Sequence, residues 1–378
     1  MLETLIKLSV FNKYMDNQRE VLYRRLGNEI GNTPLYEIHR IKLPNGNRVF
    51  AKEENRNPGG SHYDRVFIRL FRQYEEGGRI VPGHTPVVET TSGSAGVSFA
   101  RLGRLLGYEC LVICPADLPE ARLRAIREQG AELKLSPEGR YVDGSAEMLG
   151  QIFRVENKQR KAEGNVPYFG LNHTQGEAAA ISAEAVEAVV DEAVEQAMQE
   201  HGIRFDLAIA AGGNGTTLLG FGRAAKGHNI HLVVWESLGS GTYFDKRNKP
   251  PEGQSAFELK YGIKPGLRHT IYGTVYGPTP YPLPNVDTAF KEGLVDYVRI
   301  LSDEDTKRRA LELVSDRVHV SNISRLASWE PALELLRDVE GKPVGRSSAG
   351  NLAMVLDTQW RLKNRNILTF FYDDLSRY

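Results

Sequence analysis

Long apolar stretches are missing from this chain of 378 residues. No run approaches the roughly 18 residues that a bilayer-spanning helix needs, so a helical membrane span is excluded. Net charge is missing too: 48 Lys and Arg balance 48 Asp and Glu. Nothing in that balance favours nucleic acid or an anionic membrane surface, and neither is expected as a partner. Cysteine is scarce, with Cys110 and Cys114 alone, inside one apolar run. On an extended strand, residues four apart point the same way but stand roughly 13 Å apart. A disulfide between them would break the strand, so both read as buried core thiols. Metal-ligand spacing such as His-Glu-x-x-His is absent, and no metal is expected. Met1 to Arg25 mixes charges and has no apolar signal region, which reads as a mature cytoplasmic start. No fixed-period repeat and no low-complexity tail occur.

What is there is alternation. Strand patterns over Thr85–Glu89, Glu109–Cys114, Glu132–Leu135, Leu207–Ala211, His231–Glu236 and Ile367–Tyr372 are separated by helical ones over Val97–Leu106, Pro119–Gln129, Ala178–Glu200, Thr216–Ala225 and Ala349–Leu362. Such alternation predicts an α/β protein with mostly parallel, twisted sheets covered by helices on both faces. From Gly239 to Pro284 the composition shifts to Gly, Pro, Tyr and Lys, and a long irregular excursion is expected. Trp235 and the tyrosines from Tyr272 to Tyr281 read as core or interface.

Two loops suit anions. Gly212, Gly213, Asn214, Gly215, Thr216 and Thr217 follow a strand and open a helix. Glycines let the backbone approach an anion, and the helix N-terminus supplies free N–H groups. The loop is neither a Walker A sequence nor a dinucleotide fingerprint, and a plain glycine turn is the competing reading. Thr91, Ser92, Gly93, Ser94, Ala95 and Gly96 form a second small polar loop before a helix, suited to a carboxylate or to a simple N-cap.

The order of landmarks is more specific than either loop. Gly31-Asn32-Thr33-Pro34-Leu35 is followed by Lys52-Glu53, by Asn57-Pro58-Gly59-Gly60-Ser61-His62-Tyr63-Asp64-Arg65, by the two loops, by Glu236, by Ser347-Ser348-Ala349-Gly350-Asn351 and by Asp373-Asp374-Leu375-Ser376-Arg377-Tyr378. From about residue 28 onward this resembles the two-lobed fold-type II pyridoxal-phosphate (PLP) enzymes, the group of cysteine synthase, cystathionine β-synthase, threonine synthase and the tryptophan synthase β chain. The resemblance implies a segment 1–84 contributing to the larger lobe, a smaller mobile lobe over 85–165, and the larger lobe over 166–378. It implies a homodimer. It gives Gly213, Asn214, Gly215, Thr216 and Thr217 the cofactor phosphate, and Thr91, Ser92, Ser94 and Ala95 the substrate carboxylate. His173 falls where the family often places substrate-side residues. Ser347 or Ser348 would face the pyridine nitrogen, an arrangement that goes with β-elimination and β-replacement.

Two positions depart from the family pattern. Its Asn-Pro-x-Gly-Ser-x-Lys-x-Arg run carries the lysine that binds PLP as an imine, and Tyr63 stands in that place; Ser94 stands where an asparagine is usual. A tyrosine forms no imine, but it can act as an acid or base if neighbours shift it. His62 is adjacent, although neighbouring side chains often diverge. Lys52 reads mostly as structural, and Arg65 as structural too, pairing with a nearby carboxylate or packing its stem on the core. The expected activity is an amino-acid lyase or synthase that holds PLP, or a ready-made PLP–amino acid aldimine, without a covalent link, with Tyr63 or His62 moving protons. The alternatives are a pocket reassigned to another phosphorylated metabolite, or a non-catalytic partner that keeps a ligand site.

Overall fold

A computed structural model of the chain describes residues 17–91, 93–274 and 283–377. A helix over 17–29 (α1) precedes β1 (Leu35–Ile38), β2 (Arg48–Lys52) and α2 (Tyr63–Glu76). Then come β3 (Val87–Thr90), α3 (Ser94–Leu105), β4 (Cys110–Pro115), α4 (Glu120–Arg127), β5 (Glu132–Ser136), α5 (Tyr141–Gln151), α6 (Asn157–Ala162) and β6 (Phe169–Gly170). The rest runs α7 (Gly176–His201), β7 (Leu207–Ala211), α8 (Thr216–Gly227), β8 (His231–Ser237), α9 (Thr242–Asn248), α10 (Ala256–Tyr261), α11 (Pro284–Lys291) and β9 (Tyr297–Leu301). It closes with α12 (Glu304–Glu312), α13 (Arg317–Ser324), α14 (Trp329–Glu334), α15 (Arg346–Thr358) and β10 (Asn366–Phe370).

The strands form two sheets, in orders β1-β2-β10-β7-β8-β9 and β5-β4-β3-β6. Every pairing is parallel except β1 with β2. The four-stranded sheet therefore draws its edge strand β6 from beyond residue 165. The α/β alternation read from the sequence is present, with helices on both faces.

Strand periodicity builds the two faces of the larger sheet. Along β7, Ala208 and Ala210 join the core shared with Val186, Val189 and Phe221 of α7 and α8, whereas Leu207 and Ile209 join the one shared with Leu352, Met354 and Val355 of α15. Ala183, Ala193 and Ala197 of α7 are fully buried and let that face of the helix pack closely. Trp235 of β8 is buried outright, and its indole N–H finds a partner in Asn351 Oδ1 at 2.8 Å.

One expectation is corrected. The stretch from Gly239 to Pro284 is not wholly irregular, because α9 and α10 lie inside it. Their cause is side-chain capping, which hydrophobic periodicity does not reveal. Buried Glu236 accepts from Ser240 Oγ at 2.6 Å and from the backbone N–H groups of Tyr243 at 3.0 Å and Phe244 at 2.6 Å, fixing the first turn of α9. Ser255 Oγ accepts from Glu258 N at 3.0 Å and starts α10. Residues 275–282, with Tyr276 and Tyr281, lie outside the described part.

Candidate active site

Parallel strands of an open α/β sheet present their carboxyl ends, and the loops that leave them, to one crevice. β3 ends at Thr90, β7 at Ala211 and β10 at Phe370. The Thr91 loop, the Gly212 loop and the segment Phe371–Asp373 leave those ends. His62 and Tyr63, at the start of α2, meet them.

His62 and Tyr63 do not diverge. Their ring centroids are 4.2 Å apart with planes at 33°, and the Tyr372 ring stands 5.7 Å from His62. His62 Nε2 lies 3.3 Å from Thr217 Oγ1 on the glycine loop, while its Nδ1 is buried and makes no hydrogen bond among the described residues. Burial lowers the imidazole to about 4 against the pull of Glu54 and Asp373, so it is neutral at pH 7. Thr217 also lies beside the Tyr63 phenol and favours its ionised form, but burial, assisted by Asp373, raises it to about 12. Both groups are thus uncharged, one with an open nitrogen and one with a proton to give.

On the other side of Tyr63 stands His173, edge-on with ring centroids 5.5 Å apart. Glu89, at the end of β3, accepts from the His173 backbone N–H at 3.1 Å and lies 3.2 Å from its Nδ1 through the same oxygen. Glu89 and His173 are 1% and 5% exposed, so this carboxylate and imidazole meet away from water. Glu89 had no reading from the sequence. A carboxylate at the carboxyl end of a parallel strand, two residues before a polar loop, is the signal that points to it.

The second anion loop is already engaged by a carboxylate. Ser94 donates to Asp373 Oδ2 at 2.6 Å, and Arg122 Nη2 of α4 reaches the same oxygen at 3.2 Å. Arg122 and Asp373 are 2% and 4% exposed. Gly93 permits this, since its φ is +144° and a Cβ there would stand 2.2 Å from Arg122 Cδ. Thr91 Oγ1 accepts from Gly93 N at 3.0 Å and shapes the loop from within. Ala95 is buried in the first turn of α3. Ser92 lies outside the described residues.

The glycine loop is braced from its far side. Asn214 Oδ1 accepts from Thr216 N at 3.0 Å, Thr216 Oγ1 accepts from Asn285 Nδ2 at 3.0 Å, and Tyr243 donates to the Gly213 carbonyl at 2.8 Å. Gly215 has φ +98°, and a Cβ there would run into the backbone of Asn285 and Val286. Thr216 is spent on this bracing, which leaves Thr217 as the hydroxyl on the inner side. Of the two serines, Ser348 Oγ accepts from Tyr372 N at 2.8 Å, whereas Ser347 makes no side-chain hydrogen bond among the described residues. The Tyr372 hydroxyl accepts from Ala211 N at 3.1 Å, just before the glycine loop.

This arrangement suits a phosphate-bearing group held by hydrogen bonds: a braced loop at the N-terminus of a 12-residue helix and one inward hydroxyl. It does not suit an imine. Position 63 has no amine, and Lys52 is occupied elsewhere, its ammonium bonded to the Thr33 carbonyl and to Gln196 Oε1 and 3.1 Å from Glu192. Arg65 completes that structural cluster, with Nε 2.8 Å from Glu54 and Nη1 2.6 Å from Glu192. Burial works against the charge of Glu192, but the Arg65 guanidinium prevails and holds it down at about 2.

The sequence pattern of the pyridoxal-phosphate dependent enzymes matches residues 26–373. The chain belongs to that family. Over 243 residues it is 31% identical to cysteine synthase of Staphylococcus aureus, covering 64% of this chain and 72% of that protein. Over 200 residues it is 28% identical to cystathionine beta-synthase of Rattus norvegicus, covering 52% of this chain and 33% of that protein, so it spans about a third of that relative. The O-acetylserine dependent cystathionine beta-synthase of Helicobacter pylori shares the fold, with a TM-score of 0.67 and 22% identity over 93% of this chain and 96% of that one. No helix of the described residues is long and apolar enough to cross a membrane, and no cluster of His, Cys, Asp and Glu among them is arranged to hold a metal.

Proposed function

We propose that this protein binds PLP without a covalent link and acts on the β-substituent of an amino acid, as a lyase or synthase. The observation that carries this is the position of Thr217. Its hydroxyl sits on the anion loop, meets His62 Nε2 and lies beside Tyr63, the position where the family resemblance implies a lysine. Gly213, Asn214, Gly215, Thr216 and Thr217 would hold the phosphate, and Ser347 would stand opposite the pyridine nitrogen. When bound, PLP draws electrons away from the α-carbon of an amino acid and eases loss of its proton and its β-substituent. The chain's own part is then to position and to move protons. His62 is neutral at pH 7 and has an open Nδ1 to receive one. Tyr63, beside Thr217, keeps its proton and donates it. His173, held by Glu89, closes the side facing α2. Thr91, Ser94 and Ala95 would take the substrate carboxylate, in exchange for that of Asp373. A cytoplasmic homodimer belongs to the same proposal, on kinship alone.

A specific observation favours a second reading, a ligand-binding member without turnover. The rings of His62, Tyr63 and Tyr372 lie together inside the crevice, and Asp373 holds the carboxylate loop. One experiment separates the two. The purified protein is mixed with PLP, alone and with O-acetylserine, followed by absorbance, by acetate release, and by mass analysis after borohydride. A band that shifts only with the amino acid, acetate release and an unmodified protein mass support the first reading. PLP binding with no acetate supports the second. Absence of PLP binding overturns the first.

A further inference from the structure

Away from the crevice, a cleft of about 610 Å³ opens beside the edge strand β9, between α9, α10, the end of α13 and the turn after α15. Arg247, Lys260, Arg299, Arg325 and Arg361 line it, against a single carboxylate, Asp357. None of these five cations makes an ion pair within 4.0 Å among the described residues, and their gathering in one concavity sets them apart. Elsewhere many arginines are paired, among them Arg48 with Glu37, Arg69 with Glu184, Arg223 with Glu292, Arg308 with Asp305 and Glu312, and Arg365 with Asp206. A protein with no net charge therefore concentrates unpaired positive charge in one concavity.

The cations are close enough to act on one another. Lys260 is lowered from its ordinary value by burial, then by Arg299 and Arg361. Its ammonium stands 5.0 Å from the centre of the Phe244 ring and 5.4 Å from that of Tyr261, so two aromatic faces hold it at the wall of the cleft. Like charges gathered in a concavity cost repulsion and focus a positive potential outward. A multiply charged anion removes both penalties at once, and guanidinium groups suit phosphate oxygens through paired N–H donors. The volume lies within the ordinary range for small-molecule pockets, about 300–1,000 Å³. A bowl of that size is matched to a small molecule, not to the long track of a nucleic acid.

We propose that this cleft is a binding site for a polyphosphate-bearing small molecule, separate from the crevice that holds His62 and Tyr63. It is independent of the activity proposed above, because no residue is shared. The test is calorimetric titration of the full chain with sodium tripolyphosphate and with ATP at low salt. The expected result is saturable binding of at least one of them, weakened by added salt. Arg299→Glu with Arg361→Glu should weaken it by roughly tenfold or more, while Thr217→Val leaves it unchanged. Arg361→Glu alone, at an exposed position, keeps the test valid if the double variant does not fold. No saturable binding overturns the proposal. So does binding that survives the Arg361 change and is lost with Thr217→Val, since that places the anion on the glycine loop.

Discussion

The Ser94 hydroxyl donates to Asp373 Oδ2 at 2.6 Å, tying the first turn of α3 to the residue three past β10. Arg122 joins them from α4, so one carboxylate connects a helix pair of the four-stranded sheet to the end of a central strand of the six-stranded sheet. Asp373→Asn removes the charge that faces a buried guanidinium. The expected loss of stability is on the order of 3 kcal/mol, read from urea midpoints. Ser94→Ala removes one hydrogen bond and should cost about 1 kcal/mol. The two losses should not add, because they concern one oxygen. Additive losses would mean that the three groups do not act as a unit.

Tyr63→Lys puts an amine beside Thr217. This variant should take up PLP with a band at longer wavelength than free PLP, and borohydride should fix the cofactor to residue 63, as peptide mass mapping would show. The unaltered protein should give no such adduct. If the lysine variant also fails to react, the site around residue 63 is closed to the aldehyde.

Arg65→Lys is expected to be costly despite keeping the charge. One ammonium cannot satisfy Glu54 and Glu192 together, as the guanidinium does with hydrogen bonds of 2.6 to 2.9 Å. Glu54 is fully buried, so an incompletely paired carboxylate remains in the interior, at a cost of about 2–4 kcal/mol. Thermal unfolding of the variant checks this, and a change of less than a few degrees would contradict it.

Glu236 gives a pH signature. Burial pushes its carboxyl up to about 7 despite the donors from Ser240, Tyr243 and Phe244. Between the ordinary glutamate range near 4.5 and pH 7, the folded chain holds a proton that the unfolded chain has released. Stability from this group is therefore complete below that window and is lost as pH rises through it, at up to about 1.4 kcal/mol per pH unit. His62 works in the opposite sense. Its imidazole is depressed to about 4, so its contribution is present above about 6.5 and lost as pH falls towards 4. The two slopes oppose each other between about 4.5 and 6.5. In Glu236→Gln the falling slope of this carboxyl is gone, and urea midpoints should rise more steeply with pH, or fall less steeply, over that interval than in the unaltered protein. Equal slopes would refute the assignment.

Legibility in the sequence followed the range of the forces involved. The parallel strands and long helices were readable because burial imposes a period on Leu207–Ala211 and on α7. α9 and α10 were not, because six or seven residues carry too little periodicity and their first turns depend on Glu236 and Ser255. The glycine loop, His62, Tyr63 and His173 could be marked from residue type and order. Glu89, Arg122 and Tyr372 could not, since their importance lies in who faces them: Asp373 and Ser94 are 279 residues apart in the chain. The division of labour between Thr216, turned outward to Asn285, and Thr217, turned inward, is likewise a property of packing.

Cys110 and Cys114 sit on β4, and burial raises both thiols to about 12, so neither ionises in the folded protein. They are also the chain's complete stock of sulfhydryls. An alkylating reagent added under native conditions thus has nothing to attack until this strand is uncovered. The labelling rate becomes a clock for opening of the four-stranded sheet, with no engineered probe required. Run with and without PLP or tripolyphosphate, the same clock reports whether a ligand held elsewhere steadies that sheet.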